Sequence, residues 1–364
     1  MLSTVPTIVT HDQNLLLIAP FTAAEVTVAL FQMNPYKAPG LDDHVNDTLV
    51  VLIPKQKQAE RIEQFRPISL SGVMAKTISK ALVNRLQCFI DTVISPAQTA
   101  FIKNRIITDN YLIAHETSHY TRNVFNDDQV YGSLKLDMSK AYDRIEWLYL
   151  KNILLQLGFE ASWVSKIMKF VTTTVTYRLK INGCVSDQFL PHRGLRQGDP
   201  LSPYLFILCT EWLSRSLYHL HTTNCLIGIR VCRSAPSITH LLFADDSILY
   251  FKADNSTPTV LQKLLADYER LSGQLVNFHK SELVLSKNAS PNLIDLFHRT
   301  LQVKKVSTHS KYLGMPLLLK RKLSDNFSSI VDLFGFSGIR LKDGLPLNFH
   351  WEERSRAVPR LRGA

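Results

Sequence analysis

Three aspartates have the residue type and the spacing of a divalent-metal site. Asp245 and Asp246 are adjacent in THLLFADDSILYFKA (239–253), between two apolar runs, and Asp137 lies near the end of the alternating stretch GSLKLDM (132–138). An isolated carboxylate is costly to bury, so two side by side need a counter-charge. Mg²⁺ takes one or two carboxylates plus substrate phosphates, and two such ions promote in-line phosphoryl transfer. The Asp-Asp pair alone is more typical of a solvated turn than of a metal site. The choice between the two therefore depends on the surrounding sequence.

The elements that must position these aspartates are a mixture of strands and helices. Apolar residues alternate where strands are predicted and recur every three to four residues where helices are predicted. The carboxylates fall at strand ends and not within helices. The predicted strands are 48–55, 132–138, 176–183, a hairpin over 239–253 and the stretch 274–286, and the predicted helices are 21–33, 72–92, 141–158, one from about 201 and one from about 261 to 272.

Capping residues mark several helix ends. Thr22 is predicted as the N-cap of the first of these helices, and Gly158 and Gly273 are predicted to end two later ones. Asp199 and Pro200 are predicted as N-cap and N1 of the helix that follows the loop PHRGLRQGDP.

The composition indicates a basic globular protein. Among 364 residues, 42 Lys and Arg against 31 Asp and Glu give a net charge of +11, which favours a polyanionic partner such as nucleic acid. A basic protein without such a partner fits the charge equally well. The five cysteines form no CxxC pair and are expected to be reduced thiols. We expect no secretory signal, because no basic segment leads into an apolar stretch, and no transmembrane segment.

Nine blocks in a fixed order extend the pattern around the aspartates. The chain resembles the reverse transcriptases of plant non-LTR retrotransposons (long interspersed elements) from about residue 20 to 330. The resemblance implies an α+β, right-hand palm-and-fingers fold with an antiparallel palm sheet packed on helices. The blocks are NPYKAPG (34–40), LVVLIPK (49–55), FRPISL (65–70), AFIKNRIITDN (100–110), KLDMSKAYDRIEW (135–147), RGLRQGDPLSPYLF (193–206), HLLFADDSILY (240–250), SGQLVNFHKSEL (272–283) and KYLGMP (311–316).

The resemblance implies an RNA-directed DNA polymerase. Asp137, Asp245 and Asp246 would be the catalytic residues and the ligands of two Mg²⁺ ions, with Mn²⁺ as a substitute. The partners would be an RNA template, a DNA primer and dNTPs, with no membrane involved. The family would place the protein in the nucleus or the cytoplasm.

Six further residues match substrate-binding positions of the family. Tyr142 would lie under the incoming sugar and oppose a ribose 2′-OH. The loop of Gln197 and Gly198 would lie against the nascent base pair. Positive charge for the triphosphate and its leaving group would come from Lys55, Arg66 and Lys280, although each alone is more typical of a solvated surface charge. Asp143 and Arg144 are predicted to be structural and to hold the start of their helix.

Two departures from the family pattern divide the chain into three segments. Residues 1–48 form a helical segment with a predicted deletion after Gly40, because KAPG runs through LDDHVND directly into TLVVLIPK. Residues 49–318 are predicted as fingers and palm, and 319–364 as a degenerate or poorly ordered segment in place of a thumb. The endonuclease, ribonuclease H and Cys/His knuckle of the family's polyproteins are not recognisable. The resemblance therefore predicts a retrotransposon remnant with weak or no activity.

Three alternatives remain at this stage. A non-catalytic nucleic-acid-binding remnant would hold a duplex in EDTA and show no Mg²⁺-dependent chemistry. A group II intron maturase-like protein would share the palm blocks but needs a basic RNA-binding region after the thumb, which the residues after 330 do not clearly offer. An RNA-templated RNA polymerase also uses paired aspartates, but the ring of Tyr142 opposes ribonucleotides.

Overall fold

Alternating apolar residues build two sheets, and the larger one carries the aspartates. The computed structural model describes residues 2–33, 47–124, 129–173, 176–306 and 311–317. The strand order is β6-β7-β3-β8-β9 in the five-stranded sheet and β2-β1-β4-β5 in the other. Within those ranges the strands are β1 (Asp47–Pro54), β2 (Phe65–Ser71), β3 (Val130–Leu136), β4 (Thr176–Ile181), β5 (Cys184–Val185), β6 (His240–Phe243), β7 (Asp246–Ala253), β8 (Glu282–Leu285) and β9 (Lys304–Lys305).

The neighbours β6, β7, β3 and β8 are antiparallel, as predicted, whereas β9 runs parallel to β8. The helices of the described ranges lie between these strands in the chain. They are α1 (His11–Ile18), α2 (Ala23–Phe31), α3 (Val73–Leu86), α4 (Ile90–Val93), α5 (Ile107–Asn123), α6 (Ala141–Arg144), α7 (Trp147–Leu157), α8 (Ala161–Met168), α9 (Ser202–Thr222), α10 (Thr257–Ser272) and α11 (Pro291–Leu301).

The five-stranded sheet separates two apolar clusters. Leu134, Leu136 and Leu249 face the large cluster, to which α7, α9 and α10 contribute most of their buried residues. Ile248 and Tyr250 face the small cluster, with residues of α5 and of the segment 311–317. Because successive side chains of a strand point to opposite faces, Lys135 and Asp137 lie on the side of the small cluster.

Several predicted helix ends and strands are confirmed. Thr22 caps α2 in a capping box with Glu25. Gly158 and Gly273 end α7 and α10 with φ of 97° and 75°, a region that glycine enters without steric cost. Strands β1, β3 and β4 differ from their predictions by no more than two residues at either end, and the hairpin of β6 and β7 is present.

Three predictions are wrong because tertiary contacts override local pattern. The helix over 72–92 is interrupted at 87–89, and the helix over 141–158 is interrupted at 145–146. At the second break Ser272 accepts the Glu146 N–H at 2.9 Å, and Gly194 donates to the Ile145 carbonyl at 2.8 Å. The stretch 274–286 is a strand only over β8, preceded by a turn at 278–280 and an isolated bridge from Val276.

Asp199 is not the N-cap of the following helix, which begins at Ser202 with Leu201 as N-cap and Pro203 in its first turn. The Asp199 carboxylate instead accepts the Leu201 N–H at 2.9 Å and the hydroxyl of Ser79 from α3. The buried carboxylate thus finds its two donors in the loop and on a neighbouring helix.

The predicted deletion after Gly40, the block at 34–40 and the segment 319–364 lie outside the described residues. In the described ranges no single helix has the length and apolarity of a membrane span. Helices α1 and α2 have that length and apolarity only when they are taken together, and the pair is bent by 84°.

Candidate active site

Strand pairing brings the three aspartates to one end of the five-stranded sheet. Leu136 of β3 pairs with Ser247 of β7, so Asp137 and Asp246 are the next residues towards the same end. Asp246 pairs with Phe243 of β6, which leaves Asp245 in the two-residue turn of the hairpin. The Asp137 backbone is held by the residue that precedes β8, because the Asp137 N–H donates to Ser281 Oγ at 3.1 Å.

The three carboxylates influence one another electrostatically. Burial raises the pKa of Asp137, the charge of Asp245 raises it further, and the ammonium groups of Lys280, Lys135 and Lys55 oppose this. Burial also raises the pKa of Asp246, and Asp245 and Asp137 add to the effect while Lys135 opposes it. Burial is thus the main cause of both shifts, and the neighbouring carboxylates add to it.

The residues present fit a hard divalent cation by their chemistry. All three donors are carboxylate oxygens, and a cation would relieve the charge repulsion that adds to burial in raising the pKa values of Asp137 and Asp246. Within the described ranges no three His, Cys, Asp or Glu side chains form a ready-made site for one ion. This is compatible with Mg²⁺, which usually completes its coordination with waters and substrate phosphates.

Tyr142 lies on α6 beside the acidic turn. Its ring stacks on Phe206 of α9, with centroids 4.7 Å apart and planes 8° from parallel. Burial raises the pKa of Tyr142, and the charge of Asp245 raises it further. The ring is thus packed against the core and also lies near enough to the acidic turn to be influenced by the charge of Asp245.

The loop with Gln197 and Gly198 connects strand β2 to helix α6. The carbonyl of Gln197 accepts the Ser69 N–H of β2 at 2.8 Å, and its side-chain amide donates to Asp143 Oδ1 of α6 at 2.9 Å. Gly198 has φ of 104°, and a Cβ there would lie 3.2 Å from the Ser69 carbonyl oxygen. Asp143 therefore holds this loop, where the sequence predicted that it holds its own helix start.

The three predicted basic residues occupy different positions. Lys55 follows β1 and donates from Nζ to the Glu63 carbonyl at 3.0 Å, and both Lys55 and Lys280 act on Asp137 through their charge. Arg66 is exposed on β2 opposite Ile53. In the described part of the chain no hydrogen bond or ion pair joins Arg66 to the aspartates, so the structure brings two of the three basic residues, Lys55 and Lys280, close to the site.

The chain that carries these carboxylates matches a known family. The family described as reverse transcriptase (RNA-dependent DNA polymerase) matches residues 53–317, well over half of the chain. The chain belongs to the reverse transcriptase family. The match confirms the predicted α+β right-hand fold, and the family uses divalent metals.

The relatives of this chain include proteins of non-LTR retrotransposons, as the resemblance implied. It is 30% identical over 230 residues to the Pol polyprotein of the type-2 retrotransposable element R2DM of Drosophila melanogaster, which covers 63% of this chain and 20% of that protein. It is 28% identical over 280 residues to a 149 kDa protein of transposon TX1 of Xenopus laevis, covering 76% of this chain and 20% of that protein. The chain thus spans about a fifth of the length of these two relatives.

Two further proteins are similar over a shorter stretch of this chain or at lower identity. An uncharacterized mitochondrial protein of Arabidopsis thaliana is 58% identical over 67 residues, which are 18% of this chain and 55% of that protein. Apo telomerase of Candida tropicalis, truncated from its C-terminal domain, has 15% identity and a TM-score of 0.47, over 70% of this chain and 53% of that structure.

One charged residue beside the candidate site was not predicted from the sequence. Lys135 lies two residues before Asp137, on the same face of β3, and its Nζ donates to the Lys311 carbonyl at 2.5 Å. The alternation of β3 was a sufficient signal, since it puts residues 135 and 137 on one face. Lys135 is therefore a fixed positive charge beside the aspartates.

Proposed function

We propose that this chain carries the catalytic site of an RNA-directed DNA polymerase, with Asp137, Asp245 and Asp246 as its acidic residues. The observation that carries the proposal is the meeting of these three carboxylates at one sheet end in a chain of the reverse transcriptase family. The reaction is the transfer of a nucleotide from a dNTP to a primer 3′-hydroxyl, directed by an RNA template. Residues 49–318 would supply fingers and palm.

Each side chain has a task that its surroundings support. The three aspartates would hold two Mg²⁺ ions, which when bound lower the pKa of the primer hydroxyl and offset phosphate charge. Lys55 and Lys280, whose charges already act on Asp137, would attract the triphosphate and its leaving group.

The loop and the aromatic ring would define the nucleotide pocket. Gln197, oriented by Asp143, would lie against the nascent base pair, and Gly198 allows close approach of the backbone. Tyr142, supported from behind by Phe206, would block a ribose 2′-hydroxyl. The net charge of +11 would bind the template–primer through its phosphates, largely without reading sequence.

The test is dNTP incorporation on poly(rA)/oligo(dT) with Mg²⁺. We expect weak incorporation by the wild type, as the two departures from the family pattern predict, and a loss of that incorporation by up to about a thousandfold in Asp245→Asn, because several kcal/mol of charge stabilisation disappear. Asp267→Asn removes the same charge from the surface of α10, where it pairs with Arg270, and is the matched control. Equal incorporation by Asp245→Asn and the wild type would refute the proposal.

A non-catalytic nucleic-acid-binding remnant is the second candidate. It is favoured by the lack of a ready-made three-residue metal site in the described ranges. This candidate predicts that wild-type protein binds the RNA–DNA duplex equally well in EDTA and in Mg²⁺ and incorporates no dNTP. A filter-binding measurement beside the incorporation assay separates the two.

A further inference from the structure

A short segment before α5 covers the open edge of the five-stranded sheet. β6 is an edge strand, and the segment 97–99 lies beside it. Ala97 accepts the Leu242 N–H at 2.8 Å, and Thr99 donates to the Leu242 carbonyl at 3.1 Å. The segment therefore acts as an added parallel strand next to the hairpin that carries the acidic pair.

Gln98, in the middle of this segment, reaches the hairpin turn itself. Its side chain is fully buried, and its Oε1 accepts two backbone N–H groups, from Ala244 at 3.0 Å and from Ala100 at 3.1 Å. Nε2 points to the hydroxyl of Thr210 on α9 at 3.4 Å. One amide thus joins the turn to the covering segment and to a core helix.

The turn needs this support because of its backbone. Ala244 has φ of 53°, which is unfavourable for a residue with a Cβ, and it is buried. Its N–H has no access to water, so losing its acceptor leaves a buried donor unpaired. Asp245 and Asp246 follow directly, and any relaxation of Ala244 displaces them.

The covering segment is itself fixed. The guanidinium of Arg105 donates to the carbonyls of Asp91, Ile94, Ser95 and Gln98 at 2.6 to 2.9 Å. Gln98 therefore presents its side chain from a rigid loop, which is what a group that positions another residue requires.

We infer that Gln98 is a positioning residue for the acidic turn: its side-chain carbonyl holds Ala244 in the conformation that keeps Asp245 and Asp246 ready for a divalent cation. The inference rests on the proposed function for its purpose, but the hydrogen bond can be tested without catalysis. Gln98 touches neither substrate nor metal.

The test compares Gln98→Met, which has similar size and no strong acceptor, with Gln98→Glu. A buried Glu side chain in its neutral form keeps a carbonyl for both N–H groups and a hydroxyl that can donate to Thr210. Val164→Ala, in the buried face of α8, is the control for a general loss of stability.

The first readout is amide hydrogen exchange of peptides that cover residues 240–247, in the absence of metal. We expect exchange about tenfold faster in Gln98→Met, little change in Gln98→Glu, and no change confined to this hairpin in Val164→Ala. Unchanged exchange at the hairpin in Gln98→Met would overturn the inference.

The second readout is Mn²⁺ binding by calorimetry without nucleic acid. Residues behind metal ligands typically change affinity 10- to 100-fold, so we expect Mn²⁺ binding about tenfold weaker in Gln98→Met and restored in Gln98→Glu. A wild type that binds Mn²⁺ but incorporates no dNTP would refute the proposed function and leave this inference supported. A wild type that binds no Mn²⁺ would overturn the metal part of the inference.

Discussion

His240 makes the stability of the hairpin strand β6 dependent on pH. Its ring is buried, with Nε2 2.7 Å from the Ser214 hydroxyl and Nδ1 2.8 Å from the Thr239 hydroxyl. Burial lowers the pKa of His240 from 6.5 to about 4. Between these two values the unfolded chain binds a proton that the folded chain does not, so the free energy of unfolding falls as the pH decreases.

The size of the effect follows from the two pKa values. Each unit of difference between the two pKa values corresponds to about 1.4 kcal/mol, so His240 can lower the free energy of unfolding by about 3 kcal/mol in total. This loss is absent well above pH 6.5 and is nearly complete at about pH 4. Between pH 7 and pH 5 the same linkage gives about 2 kcal/mol. That is a large part of the stability of an ordinary domain.

The assay is urea unfolding of the wild type and His240→Gln at pH 7, 6 and 5, followed by circular dichroism. Gln keeps a donor near the position of Nε2 and does not titrate, so all other titrating groups cancel in the difference. We expect the wild type to lose about 2 kcal/mol more than the variant from pH 7 to pH 5. If the wild type and the variant lose the same free energy of unfolding, the reasoning is refuted, because His240 would then have the same pKa in the folded and the unfolded chain.

Three further predictions concern the nucleotide pocket and the backbone around it. Tyr142→Val should raise the ratio of rNTP to dNTP incorporation by about tenfold, and an unchanged ratio would contradict a role of the ring against the 2′-hydroxyl. Gly194→Ala should cost about 3 kcal/mol in urea unfolding, because φ is 92° and a Cβ would lie 2.8 Å from the Asp143 carbonyl oxygen. Gly183 has a φ of 85° but open space around an added Cβ, so Gly183→Ala should lower the free energy of unfolding by only about 1 kcal/mol. Equal losses in Gly183→Ala and Gly194→Ala would exclude the clash with Asp143 as the cause. Arg105→Met should cost about 3 kcal/mol by removing four hydrogen bonds to backbone carbonyls, and Arg105→Lys should recover only part of that loss. An unchanged urea midpoint would show that these bonds make no net contribution to stability.

Much of the candidate site could be predicted from the sequence because its signals are local. The acidic pair stands between two apolar runs that pair as β6 and β7, and alternation puts Asp137 at the end of β3. The contacts of Gln197 with Asp143 and of Gln98 with Ala244 join residues 54 and 146 positions apart. No spacing rule links residues so distant, so these partners were not predictable.

The sequence by itself determined the features that depend on a few neighbouring residues: the capping box of Thr22, the glycine ends of α7 and α10, and the alternation of the strands. Only the tertiary structure decided where the helix over 141–158 breaks and what Asp199 binds. In both cases backbone or carboxylate groups that a local pattern would satisfy within one element find better partners across the chain, from Ser272 and Gly194 at the break and from Ser79 at Asp199. A buried polar group is satisfied by whichever partner packing brings to it, and packing depends on the whole chain.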